Sequence, residues 1–112
     1  MALPEEFEVT VEQRDGTCVV RVRGEVDLAT HEQLAEKLHQ AAARGGPIVV
    51  DMSACEFIDS SGIRALLLGD RDIERFAIAS PTNQVKSVLD MTGVSRAVPT
   101  HASLDEALQA LD

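Results

Sequence analysis

Apolar residues recur at every second position near the start of the chain, and that period places the first two elements. Phe7, Val9 and Val11 fall on one face and Glu8, Thr10 and Glu12 on the other, which predicts a half-buried strand. Asp15-Gly16 is a tight-turn signal. Cys18, Val20 and Val22 then share one face with Arg21 and Arg23 opposite, so a hairpin is expected. Gly24 to Ala29 reads as a loop. Thr30 and Gln33 have capping-box spacing, which predicts a helix from His31 presenting Leu34, Leu38 and Ala41 or Ala42, ended at Gly45-Gly46-Pro47.

The pattern changes at Ile48-Val49-Val50, a continuous apolar run closed by Asp51 that fits a strand covered on both faces. Met52 to Glu56 reads as a loop leading to Phe57-Ile58 and Asp59-Ser60-Ser61-Gly62. The apolar run Ile63 to Leu68 predicts a short helix of two or three turns, beginning at Ser60 or Ser61 and ending near Gly69. Phe76 to Ala79 is a further strand. Ser80-Pro81 reads as an N-cap followed by proline at the first helical position, with Val85, Val88 and Leu89 as the apolar stripe and Gly93 as the stop. Val94 to Pro99 holds at most a short edge strand, and Ser103 with Glu106 opens a last helix carrying Leu104, Ala107, Leu108 and Leu111.

The sum is about five strands and four helices in the order β-β-α-β-α-β-α-β-α, an α/β domain whose mixed sheet is mostly parallel after the first hairpin, with right-handed crossovers. The loops at Gly24 to Ala29, Met52 to Asp59 and Ser80 are expected to gather at the carboxyl edge of the sheet, where open α/β sheets present their sites.

Length and composition narrow the function. The 112 residues fit a single domain over positions 1–112, and 45% hydrophobic content fills one core without disulfide or metal staples. Ten basic residues against 19 acidic ones leave a net charge of −9, which repels nucleic acid and anionic membrane and favours a partner with a basic patch. No apolar run is long enough to span a bilayer, and Met1 to Glu6 lacks the features of a secretory signal, so a cytoplasmic location is expected. Cys18 and Cys55 are too few for a disulfide scaffold and form no zinc-like cluster; Cys18 reads as inert core, while Cys55 beside the serine motif leaves a redox input open. Met52 and Met91 read as core or loop filler.

Enzyme readings find little support. His31, His39 and His101 are too far apart for a helical metal pair, and both a nucleophile elbow and glycine-rich phosphate loops are missing. A response-regulator receiver would need an acidic pair after its first strand and a lysine at a late strand end, whereas Lys86 falls within a predicted helix. The serine pair at a helix start carries two readings. Asp59 or Ser60 caps the helix and nothing more is meant, or the helix terminus seats a phosphate on Ser60 without unfolding its surroundings.

Three segments carry a family likeness: Gly24-Glu25-Val26-Asp27; Val49-Val50-Asp51-Met52-Ser53 running on through Phe57-Ile58-Asp59-Ser60-Ser61-Gly62; and Ser80-Pro81 with Val85, Leu89 and Gly93-Val94. In these the chain resembles the STAS domain, specifically the stand-alone bacterial anti-sigma-factor antagonists. The resemblance implies partner switching. An unphosphorylated antagonist binds an anti-sigma factor carrying a GHKL-type serine kinase domain and frees the sigma factor. The kinase phosphorylates the first serine of the motif, here Ser60, and a PP2C-type phosphatase restores it.

The same likeness implies that Asp27 and Asp59 lie beside Ser60 and that Glu25, Asp27, Asp59, Ser60, Ser61, Gly62, Ile63 and Arg64 form the docking surface. It implies no catalytic residue and no cofactor, since ATP and Mg²⁺ belong to the kinase. A monomer or weak homodimer is expected. Ser61 is either a capping residue or a second acceptor, and Asp27 is either part of the switch or a loop residue capping the first helix. The short Gly69 to Arg75 connection departs from the family pattern and bears on the outline of the docking face. Two other classes remain open: a STAS binding or scaffold module whose serine is never phosphorylated, and a small hydrolase using Ser60.

Overall fold

A two-residue turn sets the first reversal of the chain. The computed structural model describes residues 6–111, so the expectation drawn from Met1 to Glu5 lies outside the described residues. Asp15 at φ 50° and Gly16 at φ 85° both adopt left-handed conformations, as a type I′ hairpin turn requires. They join strand β1 (Glu8–Arg14) antiparallel to β2 (Thr17–Val26). The second strand outruns its expected end. Gly24, assigned to a loop by sequence, lies within β2 at φ 96°, where a Cβ would stand 3.2 Å from Phe7 Cα. Register shifts between Arg21 and Arg23 and between Gly24 and Glu25 carry the pairing on to Val26.

Helix α1 (His31–Ala43) buries Leu34, Leu38 and Ala41 as its periodicity requires. Its capping box does not form. Thr30 is the N-cap residue, but its hydroxyl turns back to the preceding loop instead of the helix amides.

Strand β3 (Ile48–Ile58) is longer than expected and absorbs Met52 to Glu56, which sequence gave to a loop. The reason is its position in the sheet. Up to Asp51 the strand lies between β2 and β4 (Phe76–Ala79); beyond Asp51 it pairs with β2 alone, so Ser53, Ala54, Glu56 and Phe57 reach solvent and the apolar run breaks. Asp51, buried at the changeover, accepts from Arg21 Nε at 3.2 Å and Ser53 N–H at 3.0 Å.

Helix α2 (Ser60–Asp72) is also longer than expected, because Gly69 does not stop it. A Cβ there would meet Phe76 at 3.2 Å and Leu38 at 3.3 Å, so the glycine serves close packing. After β4, Ser80 takes φ 54° and Thr82, not Ser80, caps α3 (Asn83–Thr92), its hydroxyl accepting from Val85 N–H at 3.4 Å and donating to Cys55 C=O at 3.0 Å. Gly93 at φ 83° ends α3 as expected, but one helical turn, α4 (Val94–Ala97), replaces the anticipated edge strand, and the edge is β5 (Thr100–His101). Helix α5 (Leu104–Leu111) opens with Ser103 Oγ accepting from Glu106 N–H at 3.1 Å.

The sheet order is β1-β2-β3-β4-β5, antiparallel at the first pair and parallel in the other three. This is the mixed α/β sheet expected, with five helices among the described residues, one of them a single turn. The main core unites Leu34, Leu38, Leu66, Val85 and Leu89 of three helices with Val20, Val22, Val50 and Ile78 of the strands. The other face is thinner: Val49, Ala79 and Ala107 lie beneath Leu104, Leu108 and Leu111 of α5.

Candidate functional site

Only two strands build the tip of the sheet. Val26 pairs with Ile58 as the last register pair of β2 and β3, and Asp59 N–H donates to Val26 C=O at 3.1 Å. Ala79 pairs with Asp51 instead, and at about 3.3 Å per residue this stagger leaves Ser80 roughly 20 Å short of the tip. The Ser80 loop joins the other two along the side of β3 and not at its tip: Thr82 donates to Cys55 C=O at 3.0 Å and lines a shallow pocket with Gly24, Ser53, Ala54 and Glu56. Asp27 and the serine motif meet at the tip.

The loop after β2 is tied by its own side chains. Thr30 Oγ1 donates to Glu25 C=O at 2.7 Å and accepts from Asp27 N–H at 3.0 Å. Asp27 Oδ1 accepts from Ala29 N–H at 3.0 Å and stands 3.2 Å from Thr30 Oγ1, while its carbonyl accepts from His31 N–H at 2.8 Å. Asp27 thus organises the entry into α1 on the strand end that holds Asp59.

The serine motif divides its two hydroxyls between structure and solvent. Asp59, extended at φ −110° and ψ −170°, is the N-cap of α2, and its Oδ1 accepts from Ser61 N–H at 2.9 Å, Gly62 N–H at 3.2 Å and Ser61 Oγ at 2.5 Å. Desolvation pushes the Asp59 carboxyl up, but the Ser61 hydroxyl, the Gly62 and Ser61 amides and the charge of His31 together outweigh it and hold the pKa below the ordinary value. Ser61 is half-buried and its proton is committed to Asp59. Ser60, the first residue of the helix, is exposed, and these bonds pass it by.

The remaining candidates separate by depth. Glu25 and Arg64 are exposed, whereas Gly62 and Ile63 lie beneath the surface. A Cβ on Gly62 would approach Ile58 Cγ1 to 2.6 Å and Val26 Cγ1 to 2.7 Å, so only glycine lets the first turn of α2 sit against the strand ends. Beside this turn, His31, Glu32 and Ala35 of α1 and Ser61, Arg64, Ala65 and Leu68 of α2 line a shallow, mainly apolar groove. Two of these features were not picked out from sequence. Sequence marks His31 only as a helix start too far from His39 and His101 for a metal pair, yet it is close enough to act on Asp59. Leu28, 79% exposed in the tip loop, was passed over although it is the one large apolar residue between Asp27 and His31.

Cys55 is not where sequence placed it. It lies inside β3, fully buried, with Sγ donating to Phe57 C=O at 3.4 Å, and burial raises its pKa to about 11. That removes the accessible thiolate a redox input would need. Met52 is core, whereas Met91 is 85% exposed on α3. Among the described residues no group of three or more His, Cys, Asp or Glu side chains is arranged to hold a metal ion, and no helix is long and apolar enough to cross a membrane.

A mixed sheet with helices packed on its main face ends, at its central strand, in an acid-capped serine turn. The STAS domain model matches residues 8–107, and the chain belongs to that family. It is similar to the anti-sigma-F factor antagonist RsfB of Mycobacterium tuberculosis, with 27% identity over 112 residues covering 96% of this chain and 92% of the relative. An anti-sigma factor antagonist of Mycobacterium paratuberculosis, known from its crystal structure, superposes with a TM-score of 0.92 at 29% identity, covering 99% of this chain and 98% of that one. The Bacillus cell fate determinant SpoIIAA, solved in a phosphorylated form, superposes with a TM-score of 0.69 at 25% identity over 94% of this chain and 100% of that one.

Proposed function

We propose that this chain is a phosphorylation-switched anti-sigma-factor antagonist: a substrate and binding partner with no catalysis of its own. Unmodified, it docks through the tip onto an anti-sigma factor that carries a GHKL-type serine kinase domain, and the sigma factor is freed. Phosphorylation of Ser60 ends the docking, and a PP2C-type phosphatase reverses it. The observation that carries the reading is the division of labour within the motif, where Asp59 engages Ser61 and two amides while Ser60 stands exposed on the first helical turn. The similarity to proteins named anti-sigma factor antagonists, and to one solved with a phosphate, supports it.

Charge explains how one hydroxyl switches a surface. A phosphate adds about −1.5 to −2 charges, here on the residue next to Asp59 and at the tip that also carries Asp27. The helix terminus and Arg64, one turn further along α2, favour the added charge, so the fold survives. A partner seated on the tip would have to desolvate that anionic cluster, and a loss of about 2 kcal/mol is about 30-fold in affinity.

The test is incubation with the cognate kinase and ATP, mass spectrometry of the product, and pull-down with substituted chains. Phosphate on Ser60, retention of the kinase by Ser60→Ala and its loss by Ser60→Asp are expected. Modification at Ser61 alone, or none by an active kinase that binds the chain, overturns the assignment.

A further inference from the structure

The edge strand β1 carries a self-complementary pattern, and we propose that it pairs with β1 of a second copy of this chain. The backbone fixes which groups are free. Arg14 and Thr17 flank the two-residue turn and form a hydrogen-bonded pair, after which bonded and non-bonded pairs alternate along an antiparallel ladder. Cys18 N–H confirms the phase, since it donates at 2.9 Å to Pro47 C=O on the far side and not to Gln13. Glu12, Thr10 and Glu8 therefore spend their backbone groups on β2, and among the described residues Val9, Val11 and Gln13 present theirs at the open edge of the sheet.

An antiparallel two-fold pairing centred on Val11 uses those free groups in register. Val11 would exchange both backbone bonds with Val11 of the second copy, and Val9 would exchange both with Gln13 at either end. The side chains agree with the same register. On the face bearing Glu8, Thr10, Glu12 and Arg14, it sets Glu8 opposite Arg14 of the other copy twice over, and Thr10 opposite Glu12. On the opposite face it joins the two Val11 side chains, each 37% exposed in the single chain. A pairing slipped by two residues loses both Glu8 to Arg14 contacts.

Electrostatics at the edge favour a second copy despite the overall charge of −9. Around this face Glu8 and Glu12 are balanced by Arg14, Arg21 and Arg23, and Arg21 already reaches Glu12 at 3.2 Å. Along this edge two copies meet with opposite charges facing each other. Antiparallel joining makes one continuous sheet with the two Ser60 tips at opposite ends, so self-association leaves both tips open.

Sedimentation velocity on the full chain from about 10 μM to about 1 mM covers the range in which a small interface associates. A reversible dimer is expected, weakened about tenfold by Glu8→Arg or Arg14→Glu alone and restored when both are combined, because each single change sets like charges opposite at two places. Val11→Pro removes a donor that β2 does not use and is expected to abolish the dimer with the circular dichroism spectrum retained. A monomer throughout, a dimer indifferent to the charge changes, or a double variant as weak as the singles overturns the proposal. Ser60→Asp is expected to dimerise like the unsubstituted chain, so the outcome is independent of the phosphorylation switch.

Discussion

Asp59 anchors the first turn of α2 with one oxygen, and its removal tests how much of the tip depends on that oxygen. Asp59→Ala is expected to cost about 1 kcal/mol, a melting shift of about 5 °C for a domain of this size, whereas Asp59→Asn, an equally good cap, is expected to cost less. The pH dependence follows from the lowered pKa. A carboxyl whose folded pKa is depressed contributes stability that is present above its unfolded value, about 3.9, and lost as pH falls through the folded value. The gap between Asp59→Ala and the unsubstituted chain in thermal melts should therefore be full at neutral pH and close under acid conditions. A gap that widened in acid would contradict the capping role. The cap was legible in sequence as Asp59 or Ser60 because N-cap chemistry is local, and the structure gives the role to Asp59. Gly62 was legible only as part of a motif, since its necessity lies in Ile58 and Val26 across the turn.

At the scale of elements, legibility followed how completely each segment is covered. Helix α1, β4 and α5 each keep one consistent environment along their length, and their periods showed it. Strand β3 changes environment at Asp51, where β4 ends, and its second half lost the apolar run that marks a buried strand. The start of α3 was displaced for a related reason. Ser80 and Pro81 look like a cap and first turn, but Thr82 is the residue whose hydroxyl reaches both Val85 N–H and Cys55 C=O. The recovered length of β3 makes Cys55 a strand residue with a raised pKa, so alkylation of the folded protein near pH 8 should leave it unmodified while the unfolded chain reacts. Intact mass after iodoacetamide treatment, with and without denaturant, decides this. Labelling of Cys55 in the native state at the unfolded rate would show that the second half of β3 opens to solvent.

The whole molecule joins a neutral apolar core to a strongly anionic exterior, and the two act on different steps of partner binding. Under the proposed function, a net charge of −9 sets up a field that draws in a basic partner surface before contact, while the tip groups determine how long the contact lasts. Salt separates the two contributions. The Debye length falls from about 10 Å at 0.1 M to about 3 Å at 1 M ionic strength, so long-range attraction fades while desolvated contacts at the tip persist. For the proposed anti-sigma partner, added salt should slow association by an order of magnitude or more while dissociation changes little. Ser60→Asp should do the reverse, speeding dissociation at every salt concentration and altering association only slightly, because one more charge on nine hardly changes the distant field. Stopped-flow mixing across a salt series distinguishes these effects. If Ser60→Asp acted mainly on association and its effect vanished at high salt, the switch would work through the field of the whole molecule instead of through the few groups at the end of β3.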